Sequence, residues 1–147
     1  MKYRITLNNN YPNKMHGVLL CEGNPLHYVF FMKPDPLDLT MRIDFLDFDT
    51  IEKKWDCIPT DKVNIYLINQ KVIDLLHLHD PNTFELLDVS IYSNHVFVET
   101  EYKLLHILNH IDQDKISYKD GIWVDQDFSK AYKKHKLKGW VFDREDE

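Results

Sequence analysis

In EYKLLHILNHIDQDKISYKDG, residues 101–121, His106 and His110 stand four apart and Asp112 and Asp114 follow at once. Residues four apart share one face of a helix, and two imidazoles with a carboxylate are the beginning of a zinc or manganese site. Such a site activates water, so the spacing raises a small metal-dependent hydrolase using His106 and His110 as one reading of the chain. The rest of that site is missing from the pattern. His106 is followed by Ile107, whereas a metalloprotease helix carries a glutamate immediately after its first histidine to take the proton from water. Leu104, Leu105, Leu108 and Ile111 would form the buried stripe of such a helix, leaving both histidines on its flanks. No spacing fixes a third ligand, and a pair of surface or half-buried histidines is the plainer reading. His77 and His79 are weaker candidates: on a helix they point about 200° apart, at an end where histidine interacts well with the helix dipole.

Other catalytic chemistry leaves little trace. The four glycines form no Gly-x-Gly-x-x-Gly and no phosphate-binding loop, so nucleotide binding of the glycine-loop kind is not expected. There is no Gly-x-Ser-x-Gly, and Ser90, Ser93, Ser117 and Ser129 have no neighbouring base to activate them. The paired carboxylates of DFLDFD suit a solvated face of an acidic protein better than a general acid and base. No catalytic residue, cofactor or metal is assigned, and the chain reads as a non-enzyme.

Two charged stretches carry more information. Between Asp35 and Glu52 the acids Asp35, Asp38, Asp44, Asp47, Asp49 and Glu52 are opposed by Arg42 alone. They interleave with Leu37, Leu39, Phe45, Leu46 and Phe48. Acids steer a basic protein inward and apolar anchors slow its departure. Asp44, Asp47, Phe48, Asp49 and Glu52 are therefore the candidate partner-binding residues. The plainer alternative turns the apolar members into the core and leaves the acids to keep the outside soluble. KAYKKHKLK sets Lys130, Lys133, Lys134, Lys136 and Lys138 near Tyr132 and Trp140, a combination that suits nucleic acid. Four acids follow in DREDE, however, and lysines in a last helical turn favour the dipole, so a solvated helix face is the reading taken.

The elements that must position these residues follow from composition and period. A chain of 147 residues, 44% hydrophobic and 13% aromatic, fits one domain with a real core. With 24 acids against 18 bases, its net charge of -6 repels phosphate backbones and disfavours a general nucleic-acid binder. MKYRITLNNN lacks the apolar run of a signal peptide, and no apolar run approaches the length of a membrane span, so a cytoplasmic protein without membrane partners is expected. Cys21 and Cys57, with no Cys-x-x-Cys, read as reduced thiols.

KYRITL alternates Tyr3, Ile5 and Leu7 against Lys2, Arg4 and Thr6, and TMRIDF alternates Met41, Ile43 and Phe45 against Arg42 and Asp44; both predict strands. LHYVFFM, residues 26–32, predicts another before Pro34 and Pro36. Asn69 caps a helix over 70–78 with Val72, Ile73 and Leu76 inward, ended by Asp80 and Pro81. FELLDVSIY and HVFVETEY read as two extended segments joined at Ser93-Asn94. DFSKAYKKHK predicts a helix, with Gly139 stopping it before an extended GWVFD. Without regular alternation of strand and helix, the fold class is α+β: a single domain over 1–147, mainly antiparallel sheet with a few short helices.

VNIYLINQKVIDLLHLH, FELLDVSIY, EYKLLHILNHIDQDKISY and LKGWVF, within about 58–142, resemble the immunity proteins of bacterial polymorphic toxin systems. The group concerned is a former domain of unknown function typified by a myxobacterial immunity protein. Its pattern, Tyr-x-Leu-Leu-x-Ile-Leu-x-x-Ile-Asp with a Lys-x-Ser-like tail, is matched by Tyr102, Leu104, Leu105, Ile107, Leu108, Ile111, Asp112, Lys115 and Ser117. A closing Gly-x-x-Phe is matched by Gly139 and Phe142, while residues 1–57 match less well. The resemblance implies that Tyr102 to Leu108 is a strand rather than a helix. A buried central strand reads as a nearly continuous apolar run, which LLHIL allows, and HVFVETEY leads into it as one long extended unit. His106 and His110 then belong to core rather than to a ligand-bearing helix face. The resemblance also implies a non-enzymatic immunity protein that binds and neutralises a cognate toxin, expected to be basic. An adaptor with another protein partner is the remaining alternative, and the oligomeric state stays open.

Overall fold

The alternation in KYRITL and MRIDF is realised as strands whose inward residues are Ile5 and, in the second, Met41, Ile43 and Phe45. The computed structural model describes residues 2–12, 17–21, 41–110 and 115–144. In chain order the elements are β1 (Lys2–Leu7), β2 (Val18–Cys21), β3 (Met41–Phe45), α1 (Phe48–Glu52), β4 (Cys57–Pro59) and β5 (Tyr66–Ile68). They continue with α2 (Gln70–His79), β6 (Phe84–Leu87), β7 (Ser90–Ser93), β8 (Val96–Val98) and β9 (Lys103–Ile107). The last four are β10 (Ile116–Tyr118), β11 (Ile122–Asp125), α3 (Gln126–Lys134) and β12 (Trp140–Arg144). The strand expected over 26–32 lies outside the described residues.

Among the described residues three four-stranded sheets form, in the orders β10-β11-β1-β12, β2-β3-β7-β8 and β4-β5-β9-β6. Among the described strands only β3 and β7 pair in parallel; the other pairs are antiparallel. The fold is therefore a single α+β domain rich in antiparallel sheet.

The sheet β4-β5-β9-β6 lies between two cores. One of its faces gives Cys57, Tyr66, Ile68, Leu105 and Ile107 to a cluster completed by Ile5, α2, α3 and Trp140. The opposite face gives Ile58, Leu67 and Leu104 to a cluster with Leu19, Ile43, Phe45, Phe48 and Ile91. Apolar residues on both faces explain why LLHI has no clear period of two: each side chain, whichever way it points, meets protein.

The helices follow their local chemistry. The Asn69 side chain accepts from the Val72 N–H, and Val72, Ile73, Leu75 and Leu76 are buried beneath α2. Asp125 caps α3 in the same way through the Phe128 N–H at 2.9 Å, and its other contact is His79 Nε2 at 2.7 Å, tying the end of α2 to the start of α3. At Gly139 φ is +130°, and a Cβ there would lie 2.3 Å from the Cys57 carbonyl oxygen, so only glycine lets the chain return against β4.

Two expectations need correction. FELLDVSIY breaks at Asp88-Val89, since β6 belongs to the central sheet and β7 to its neighbour. HVFVETEY likewise does not run on into one long unit with LLHIL: β8 stops at Val98, and β9 starts at Lys103 in a different sheet. The turn joining β7 to β8 is Asn94-His95, with φ of 51° and 70°, the pair of left-handed residues a tight two-residue hairpin demands.

Candidate protein-binding face

Strand pairing aligns the outward residues of β2, β3, β7 and β8 in two rows. Val18 lies opposite Asp44, Asp44 opposite Tyr92 and Tyr92 opposite Phe97, while Leu20 lies opposite Arg42 and Arg42 opposite Ser90. The inward row, Leu19, Ile43, Ile91 and Val98, packs into the core. The outward rows remain in water, with Val18 44%, Leu20 45% and Phe97 56% exposed.

This face is internally braced. Arg42 Nε donates to Asp44 Oδ1 at 2.7 Å, and its guanidinium lies 3.8 Å from the Tyr92 ring centre. Tyr92 meets Phe97 edge-on at 5.7 Å. A guanidinium stacked on tyrosine, beside a second aromatic and two aliphatic side chains, is the composition that protein interfaces favour. Being held in place already, these side chains lose little rotamer freedom on contact.

Of the acids named from the sequence, Asp44 stands within β3 and Asp47 reaches the β7-β8 turn. Asp44 is half-buried and paired with Arg42. Asp47 is exposed, with φ 54°, at the start of α1, and accepts from Asn94 Nδ2 at 3.0 Å. Asp49 is exposed in the first turn of α1 and Glu52 is half-buried at its end. Asp35 and Asp38 lie outside the described residues. Phe48, expected as an exposed anchor, is 0% exposed and packs on Phe45 and Tyr102. A ring enclosed in the core offers no surface to a partner; the exposed apolar side chain nearest it in sequence is Leu46, 68% exposed. Val18, Leu20, Tyr92 and Phe97 were missed because VLLC is short, and because SIYS and VFV each present too few residues to tell an outward row from an inward one.

Among the described residues His106 and His110 have separate surroundings. His106 is 1% exposed on β9, with Nδ1 2.6 Å from Glu85 Oε2, its cross-strand neighbour on β6. His110 lies beyond the strand against the Tyr118 ring at 5.6 Å, and desolvation, reinforced by His106, lowers its pKa. Among the described residues no three His, Cys, Asp or Glu side chains gather as a metal site; Asp112 and Asp114 lie outside them. Cys57 is a free, buried thiol 3.4 Å from the Tyr132 hydroxyl, and burial pushes its pKa well up, the opposite of an activated nucleophile. No helix among the described residues is long and apolar enough to cross a membrane.

No protein-family model matches the chain, and no curated protein matches it.

Proposed function

We propose that this chain is a non-enzymatic immunity protein of a bacterial polymorphic toxin system, binding a cognate toxin of basic charge and neutralising it in the cytoplasm. The observation that carries the reading is the outward face of β2-β3-β7-β8, where Val18, Leu20, Tyr92 and Phe97 stand in water around a stacked Arg42, beside the acids of α1. Apolar and aromatic anchors supply holding power there, and Asp47 and Asp49 supply attraction for a basic partner. The resemblance of residues 58–142 to immunity proteins agrees with a role in binding rather than catalysis.

The test is titration calorimetry against the toxin-like domain encoded by the neighbouring upstream gene. Phe97→Asp should weaken binding by about tenfold or more through faster dissociation. Asp47→Asn with Asp49→Lys should slow association, more so at low salt. Asparagine keeps the left-handed backbone and the Asn94 contact at position 47. Absence of binding to that domain removes the immunity function, whereas tight binding that both variants leave untouched removes this face from it.

A further inference from the structure

Strand β8 ends the sheet β2-β3-β7-β8 on one side, and among the described residues β7 is its only hydrogen-bonded neighbour. Its far side is a row of backbone groups able to pair with another chain, a row that native proteins blunt with charge, proline or a covering segment. The edges at β4, β6 and β12 are blunted so: the first ends in Pro59, the second carries Glu85, and the third carries Asp143 and Arg144. Val96, Phe97 and Val98 use neither charge nor proline. Val96 is 66% exposed and Phe97 56%, so the strand meets water on both faces as well as at its edge.

The hairpin decides which backbone groups point outward. Asn94 and His95 form a two-residue turn, so Ser93 and Val96, which face each other across it, are a hydrogen-bonded pair. Bonding alternates along an antiparallel ladder, which makes Tyr92 and Phe97 the next, non-bonded pair. The N–H and C=O of Phe97 therefore point away from β7, and no hydrogen bond reaches them among the described residues.

The strand is complementary to itself. In HVFVE, residues 95–99, an antiparallel copy centred on Phe97 sets Phe97 opposite Phe97, where each N–H meets the other's C=O, and Val96 opposite Val98. It also sets His95 opposite Glu99 at both ends, an imidazole donor facing a carboxylate acceptor. Exposed Val96 then lies against the partner's Val98, and the edge-on Tyr92–Phe97 pair extends into an aromatic row across the contact. No other antiparallel register overlaps all three residues of the strand.

We propose that a second copy of this chain occupies the open edge, the two β8 strands pairing antiparallel about Phe97 to join their sheets edge to edge. A two-fold contact of this kind closes on itself and stops at two. Toxin binding uses the face of the sheet and this contact its edge, so neither reading depends on the other. One pair of three-residue strands falls short of the roughly 1,200 Å² of a stable interface, so the dimer is reversible.

Sedimentation equilibrium of the whole protein from about 10 μM to about 1 mM should show the mass rising from one chain toward two and no further. Hydrogen exchange at the Phe97 amide should slow over the same range. His95→Asp sets two carboxylates opposite each other at both ends and should weaken the dimer about tenfold; aspartate tolerates the left-handed backbone there. Adding Glu99→Lys restores opposite charges and should recover the affinity to within about threefold. The proposal is overturned by a parent chain that stays single at about 1 mM, or by assembly beyond two. It is also overturned by a Phe97 amide indifferent to concentration, or by a double variant no tighter than the single one.

Discussion

Leu105→Ala measures how firmly the central sheet is held between its two cores. Leu105 is 3% exposed, and its strand is flanked by β5 and β6, with Leu86 directly opposite. Removing three carbons forfeits about 2.4 kcal/mol of transfer free energy at about 0.8 per carbon. With ladders on both sides and protein on both faces, the site closes poorly. A residual gap of roughly 60 Å³ adds about 1.4 kcal/mol, for a total near 4. Against a domain stability of about 5 to 15 kcal/mol this is a severe loss. In urea, with a slope of about 1.5 kcal/mol/M, it moves the midpoint down by roughly 2.5 M. Tryptophan fluorescence and far-ultraviolet circular dichroism should report the same shift. Leu104→Ala, which opens the opposite core, should shift the same single transition by a similar amount, while Lys134→Ala on α3 stays within about 0.5 kcal/mol. A Leu105→Ala loss under about 1 kcal/mol, or a transition that splits with one half unmoved, refutes the picture of one sheet serving both cores.

The remaining predictions probe other features. His110 has its pKa lowered by burial, so the unfolded chain takes up a proton near its ordinary pKa of about 6.5 that the folded site resists. Stability is therefore fully present above that value and falls as pH drops from it toward the folded-state pKa. Urea midpoints at about pH 7.5 and about pH 5.5 should differ less in His110→Asn than in the parent protein. Gly139→Ala drives a Cβ against the Cys57 carbonyl at a left-handed φ of +130° and should lower the melting temperature by at least about 5 °C. In a Cys21→Ser background the one thiol left, Cys57, should react with a disulfide reagent only on unfolding, because burial keeps it protonated as well as inaccessible.

Periodicity revealed those elements that have one wet side. β1, β3, α2, α3 and β12 each bury one face, and their residues announce it; the Asn69 cap was legible for the same local reason, whereas α3 ends at Lys134 with His135 as its C-cap, before the stop expected at Gly139. From Leu104 to Ile107 the strand has no wet side, and the helix-like spacing of leucines is the accident of a strand buried on both faces. The break inside FELLDVSIY is invisible because changing sheets needs no change of period, only the two residues between Leu87 and Ser90. α1 is five residues long, too short to display a helical stripe, so Phe48 looked like part of an acidic surface until its burial placed it in the core. The acids themselves were legible, but the outward apolar rows depend on a register among four strands that no local pattern encodes.

The position of β1 has a consequence in time. Its two hydrogen-bonded neighbours are β11 and β12, and 114 residues lie between Leu7 and Ile122. A ribosome adding about 5 to 20 residues per second takes on the order of 6 to 23 s to make that stretch. Throughout that interval the first strand has both edges open, and the core around Ile5 lacks Ile122, Val124, Phe128, Tyr132 and Trp140. Tyr3 and Leu7, which lean on the same core, wait with it. The middle of the chain can close its own hairpins meanwhile, such as β4 with β5 and β7 with β8, whose partners are near in sequence. Assembly of this sheet thus waits on β11 and β12, and a nascent chain stalled before residue 122 leaves β1 as a sticky strand for chaperones or proteases to seize.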